Sequence, residues 1–169
     1  IEYTPGANNT LRFLSIPFDK VKILILGQDP YPQKGVATGR AFEVGTLKSW
    51  QEKFTNVSLK NIVRAIYHAY TNQYLKYSEI KKEIGLFFQL KSPDELFVNW
   101  EKQGVLLLNT SFTCQVGKPN SHEKLWNSFT NKLLRFIAEN NEEIIWFIWG
   151  NNAKTIINGI PVKHKIETM

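Results

Sequence analysis

Three short, nearly continuous apolar runs constrain the fold of this chain more than any other feature: residues 21–26, 105–108 and 144–149. Strands with one face in water alternate apolar and polar residues. These runs do not, so they read as parallel strands covered by helices on both sides. A fourth stretch, 162–168, does alternate, and belongs at a sheet edge. Helical patterns fill the intervals. Ser58 is placed to cap a helix with Leu59, Ile62, Val63, Ile66 and Tyr67 on one face. Ser92, Pro93 and Glu95 read as an N-cap, a proline at the first helical position and a capping-box glutamate, with Gly104 as the stop. Asn120 and Glu123 mark a similar start for a helix bearing Leu125, Trp126, Phe129, Leu133 and Phe136, and a short helix is expected between Gly150 and Gly159. The long interval from Leu26 to Val105 must hold more than one helix. The alternation of strands and helices predicts an α/β fold, a three-layer αβα domain with a central four-stranded parallel sheet.

At 169 residues the chain is expected to form a single domain over 1–169, and a chain of this length buries about 70% of its unfolded surface without staples. Its one cysteine, Cys114, excludes an internal disulfide and any cysteine-rich zinc or iron–sulfur site. The longest apolar run has six residues against the roughly 18 of a membrane helix. No membrane association is therefore expected, nor any secretory leader, and the compartment read from the sequence is a reducing cytoplasm. The chain opens on Ile1 and stops at Met169 directly after the fourth strand, so trimming at both ends is expected. A net charge of +6 suits a polyanionic partner, but the basic residues are scattered singly, as on any solvated surface.

In open parallel sheets ligands bind beyond the carboxyl ends of the strands. Three strands here run into polar segments, at 27–32, 109–111 and 150–152, and should meet on one rim. Asp29 directly follows a buried strand, and Pro30 and Pro32 stiffen its loop so that its carboxylate and the Tyr31 ring keep fixed directions. An Asx-type turn would use Asp29 as well. Asn109 offers a donor and an acceptor, as reading a base edge requires, although a plain strand-end turn also favours asparagine. Phe42, after the glycines at 35 and 39, is a candidate stacking face; a lone phenylalanine is otherwise core. His68, His122 and His164 show no triad or metal-ligand spacing, and no phosphate-binding Gly-rich loop follows the first strand.

Around these residues the chain resembles the main, metal-free family of uracil-DNA glycosylases. The segment Gly27-Gln28-Asp29-Pro30-Tyr31 is similar to that family's water-activating motif, and Gly104 through Asn109 to its base-reading strand, continuing into Pro119-Asn120-Ser121-His122. Ile148-Trp149-Gly150 with Ala153 is similar to a third segment, and Ser58-Leu59 with Asn61-Ile62 to the helix start after the DNA-gripping loop. The match runs in order from about Leu11 to Met169. The resemblance implies flipping of deoxyuridine out of DNA and cleavage of its N-glycosidic bond. Asp29 would orient the attacking water and stabilise the cationic sugar, and Tyr31 would exclude thymine by its methyl group. Phe42 would stack on the base, Asn109 would pair with its edge and reject cytosine, and the Gln28 backbone would help to hold it. Ser58, Gly150 and Asn151 would grip phosphates. Neither metal nor cofactor is implied. The implied partners are uracil-containing DNA, single- or double-stranded, free uracil as product, and a proteinaceous glycosylase inhibitor; a monomer in a bacterial cytoplasm is expected, with nuclear and viral settings open.

The chain also departs from that family. The family's second catalytic residue, a histidine in a His-Pro-Ser-Pro-Leu motif, and the leucine that wedges into the duplex follow the fourth strand, and the sequence stops there. Pro32 stands where histidine is usual, Asn151 where serine is common, and Arg40 where the family is apolar. The DNA-gripping loop, 53–58, contains no proline. Two alternatives therefore stand beside uracil excision: a non-catalytic uracil- or DNA-binding module, and a glycosylase for another damaged base, suggested by Arg40 and Pro32.

Overall fold

The computed structural model describes residues 2–168. A two-residue strand β1 (Tyr3–Thr4) leads through a helical turn α1 (Ala7–Thr10) and two 3₁₀ turns to β2 (Ile23–Gly27). A long loop follows, then α2 (Val57–Thr71), α3 (Tyr77–Glu83) and α4 (Pro93–Lys102). Next come β3 (Val105–Asn109), the short β4 (Cys114–Gln115), α5 (Glu123–Asn140), β5 (Ile145–Trp149), α6 (Gly150–Ile156) and β6 (His164–Thr168). The main sheet is parallel, in the order β3-β2-β5-β6, so the predicted three-layer αβα architecture is the observed one, with the alternating fourth strand at an edge. β1 and β4 form a small antiparallel pair that the sequence pattern did not indicate.

Strand alternation divides the core in two. Leu24, Leu26, Leu106, Leu108, Trp146 and Ile148 face α5 and α6, where they meet Leu134, Ile137, Ala138, Ala153 and Ile157. Ile25 and Leu107 face the other way, onto Leu59, Val63 and Tyr67 of α2, Ile80 of α3, and Leu96 and Phe97 of α4. Both faces of β2 and β3 are therefore buried, which is why they read as continuous apolar runs, whereas β5 is buried only toward α5 and α6 and has Ile145 exposed and Phe147 and Trp149 half-buried on its other face. After β2 the chain turns to β3 on one side, then crosses back to β5 on the other. The carboxyl ends of β2 and β5 flank that reversal, where a crevice must open.

Four expectations about helices are corrected. Ser58 lies inside α2, and Asn56 is its N-cap. Asn120 does not cap α5: it adopts a left-handed backbone (φ 61°), and His122 is the N-cap. The buried stripe of α5 is Thr130, Leu134, Ile137 and Ala138, whereas Leu125, Phe129 and Phe136 are exposed. Thr130 hid the stripe, because a polar residue belongs in this core only by donating its hydroxyl to the Thr110 carbonyl (2.6 Å). Ser92 does begin α4 with Pro93 as its first residue, and Gly104 follows its end at φ 92°. The expected capping box does not form, because the Ser92 hydroxyl bonds the Asp94 and Glu95 carboxylates (2.8 and 2.9 Å) instead of the backbone.

Candidate active site

The carboxyl ends of β2, β3 and β5 open on one cavity of about 500 Å³, a typical size for a small-molecule site. Its walls include residues 27–32, Phe42, Ser58, Asn109 and 149–153, so all eight residues singled out from the sequence, Gln28, Asp29, Tyr31, Phe42, Ser58, Asn109, Gly150 and Asn151, line it. Thr110 and Ser111 do not; they are buried behind Asn109 and fasten the loop after β2. The Thr110 hydroxyl (2.7 Å) and the Ser111 N–H (2.9 Å) both donate to the Gln28 carbonyl.

Asp29 is held by a partner 91 residues away, not by a local turn. The Asn120 N–H donates to its Oδ2 (2.7 Å), and the Gln28 Nε2 donates to the Asn120 Oδ1 (2.8 Å). The left-handed backbone of Asn120 aims that N–H at the carboxylate, a conformation asparagine tolerates better than most residues. The sequence marks Asn120 as a helix start and as part of the family-like segment Pro119-Asn120-Ser121-His122, and nothing local in that segment points to Asp29. Among the described residues Asp29 Oδ1 has no hydrogen-bond partner, which leaves it to a water or a ligand. Burial raises the Asp29 pKa above the ordinary carboxylate value; the Asn120 bond opposes this and the nearby Glu123 charge adds to it.

Gly27 sits opposite Asn109 in the β2–β3 register and forms the cavity floor. A Cβ at Gly27 would lie 2.5 Å from Asn109 Oδ1 and 2.8 Å from the Ala41 Cβ, so only glycine lets the amide reach this place. Asn109 is 6% exposed, yet its side-chain amide bonds to no protein group among the described residues. A mostly buried amide left unpaired at a cavity wall has a donor and an acceptor free to bond whatever enters the cavity.

Phe42 has a backbone φ of 67°, an outlier for a bulky residue that costs about 1–3 kcal/mol. Its ring lies 5.6 Å from that of Trp149, which the sequence pattern places at the end of β5 without giving it a role in the cavity. The Tyr31 hydroxyl donates to the Phe42 carbonyl (3.4 Å) and meets the Ser58 Oγ (3.2 Å). Ser58 therefore fixes Tyr31 as well as bordering the cavity. Burial pushes the Tyr31 pKa up, so the phenol stays neutral. Gly150 takes a φ of 83° at the turn into α6, and Asn151 is exposed on the rim. Arg40 does not line the cavity; it is buried in an ion cluster with Glu43 and Glu101, which removes it as a sign of a different base, whereas Pro32 does line the wall. His122 bonds the Thr113 hydroxyl (2.9 Å) and lies outside the cavity. Among the described residues no group of His, Cys, Asp and Glu is arranged to hold a metal ion, and no helix is long and apolar enough to cross a membrane.

A family model described as "Uracil DNA glycosylase superfamily" matches residues 15–168. The uracil-DNA glycosylase of Fusobacterium nucleatum is 36% identical over 155 residues, which cover 90% of this chain and 58% of that protein. That of Mesomycoplasma hyopneumoniae is 37% identical over 161 residues, covering 94% and 63%. The chain thus spans little more than half the length of the curated relatives it matches. Among solved structures, the wild-type UNG of Nitratifractor salsuginis superposes with a TM-score of 0.77 at 23% identity, covering 98% of this chain and 71% of that one. A mimivirus UNG variant in complex with UGI superposes with a TM-score of 0.74 at 22% identity, covering 98% and 56%.

Proposed function

The chain belongs to the uracil DNA glycosylase superfamily, and from that premise we propose that it forms the uracil-binding part of a DNA repair enzyme that hydrolyses the N-glycosidic bond of deoxyuridine and leaves an abasic site. One observation carries this reading: an unpaired buried amide, a carboxylate with one open oxygen and two aromatic rings share a single cavity of base-accommodating size. A flipped base would lie over Gly27 against the Phe42 ring, its polar edge toward Asn109. Cytosine would bring a donor where uracil brings an acceptor, and an unmet buried group costs about 1–3 kcal/mol. Tyr31, fixed by Ser58 and the Phe42 carbonyl, would meet the methyl of thymine. The Gln28 carbonyl already accepts two bonds, which leaves its N–H for the base.

Asp29 Oδ1 would orient a water toward the anomeric carbon, and its charge would stabilise the cationic sugar as the bond breaks. The bonding electrons would leave with uracil as an anion, the water oxygen would bond the anomeric carbon, and the proton it releases would pass by way of Asp29 or solvent to the uracil anion. In the family that the chain resembles, stabilisation of that anion falls to a histidine that comes after the fourth strand. Ser58, Gly150 and Asn151 are proposed as phosphate contacts, which position the strand without reading sequence. The proposed partners are uracil-containing DNA, single- or double-stranded, free uracil, and an inhibitor protein of the kind bound to the mimivirus UNG; the proposed state is a monomer in a bacterial cytoplasm.

The test is incubation of the protein carrying this chain with a single-uracil oligonucleotide, with abasic sites read by alkaline cleavage. Cleavage by the wild type that falls about 10³-fold or more in Asp29→Asn is expected. Uracil binding that Asn109→Ala abolishes, without any cleavage, would mean a recognition module, and excision of other damaged bases but not uracil would overturn the substrate assignment.

A further inference from the structure

Phe42 makes the stacking wall of the cavity, yet it sits in the loop between β2 and α2, not on a strand or helix. Its unfavourable backbone conformation persists only if its surroundings enforce it. Those surroundings are charged. The Arg40 guanidinium forks onto Glu101 of α4, Nε to Oε2 at 2.5 Å and Nη2 to Oε1 at 3.0 Å. Its Nη1 reaches both oxygens of Glu43, at 3.2 and 3.1 Å. Arg40 and Glu43 are 7% and 6% exposed. The Thr38 hydroxyl donates to Glu43 Oε2, and Arg12 Nη1 donates to the Thr38 carbonyl (3.3 Å). Between the two clamped residues the Ala41 N–H bonds the Leu107 carbonyl on the open edge of β3 (3.2 Å).

We propose that Arg40 is a positioning residue for Phe42: the buried Arg40–Glu43–Glu101 cluster fastens the loop to α4 and so holds the Phe42 ring against the cavity floor. Arg40 and Glu43 bracket Ala41 and Phe42, so the four residues are pinned from both ends and in the middle, and the Phe42 backbone has no freedom to relax. Planar forks in two directions fix the loop's orientation as well as its distance from α4. An apolar residue would fill the space but set neither. The consequence for uracil rests on the function proposed above; the consequence for the Phe42 ring does not.

The test uses the full-length protein with 4-fluorophenylalanine at position 42. Two variants are compared, Arg40→Lys and the charge-free triple Arg40→Leu/Glu43→Gln/Glu101→Gln, which leaves no buried ion unpaired. Both are expected to melt cooperatively while the ¹⁹F resonance moves toward its value in an unfolded chain. Affinity for an oligonucleotide bearing 2′-fluoro-2′-deoxyuridine should fall about tenfold, and less than twofold when the same changes are made in a Phe42→Ala background. An unmoved resonance, an equal loss in both backgrounds, or unfolding of both variants overturns the proposal. Failure of the wild type to bind the uracil analogue would refute the functional reading, while the ¹⁹F resonance still decides the role of Arg40.

Discussion

Gly27→Ala offers the sharpest test of how the cavity is built. Gly27 ends β2 with an ordinary backbone conformation, so an added methyl group is opposed by space alone. Its Cβ would stand 2.5 Å from Asn109 Oδ1, 2.8 Å from the Ala41 Cβ and 3.5 Å from Phe42 Cζ. Contacts below 3.0 Å are not sustained, so Asn109 must retreat by about 0.5 Å or more, and the loop carrying Ala41 and Phe42 must move with it. Overpacking of this kind costs about 1–3 kcal/mol, or about 2–12 °C of melting temperature for a chain of this length. The functional cost should be larger, because a displacement approaching 1 Å at a reacting site costs about 10²-fold. The assay pairs a thermal melt with kcat/KM on a single-uracil oligonucleotide. Gly6→Ala serves as the control, since a Cβ there meets nothing within 4 Å. A folded Gly27→Ala protein with wild-type kcat/KM would refute the argument that this glycine exists to admit Asn109 and Phe42.

Further outcomes follow from charge and packing. On the proposed mechanism Asp29 acts ionised, and burial raises its pKa, so the acid limb of kcat/KM should lie above the ordinary carboxylate value; Glu123→Gln removes a like charge and should move that limb to lower pH, and an upward move would contradict it. A carboxyl whose folded pKa is raised favours the folded state at low pH and loses that contribution as pH rises from the unfolded value through the folded one. Asp29→Asn should therefore raise the melting temperature at pH 7 while abolishing excision, with a lower temperature as the refuting result. Leu134 is fully buried between α5 and the sheet, so Leu134→Ala should cost about 2–5 kcal/mol in urea unfolding and leave KM for uracil DNA unchanged once the protein is folded.

What the sequence made legible and what it hid divide along the distance over which each feature is held. β2 and β3 were visible because strands buried on both faces must be apolar throughout, β5 because its buried residues alternate with half-buried aromatic ones, and the position of the cavity followed because parallel strands present their carboxyl ends together. α3 was not visible: seven residues with a lysine at the N-cap leave little periodicity to read. β1 and β4 pair only two residues each, through a contact that spans the first two-thirds of the chain. The same division runs through the site. Asp29, Tyr31 and Asn109 stand beside a strand end and announce themselves, but the group that holds Asp29 is a backbone N–H 91 positions on, exposed by a left-handed turn. Arg40 was the most misleading position, because an arginine in a loop is by default a solvated charge or a sign of an altered ligand. It is instead buried, since Glu43 lies three residues ahead in the same loop and Glu101 arrives 61 residues later on α4 to neutralise it. Local pattern thus specifies where the cavity sits, whereas the aim of each side chain that lines it depends on partners that only the folded topology supplies. That is why the strained Phe42 is held as a wall of the cavity through attachments at Leu107, Glu101 and Tyr31, the first two far away in sequence.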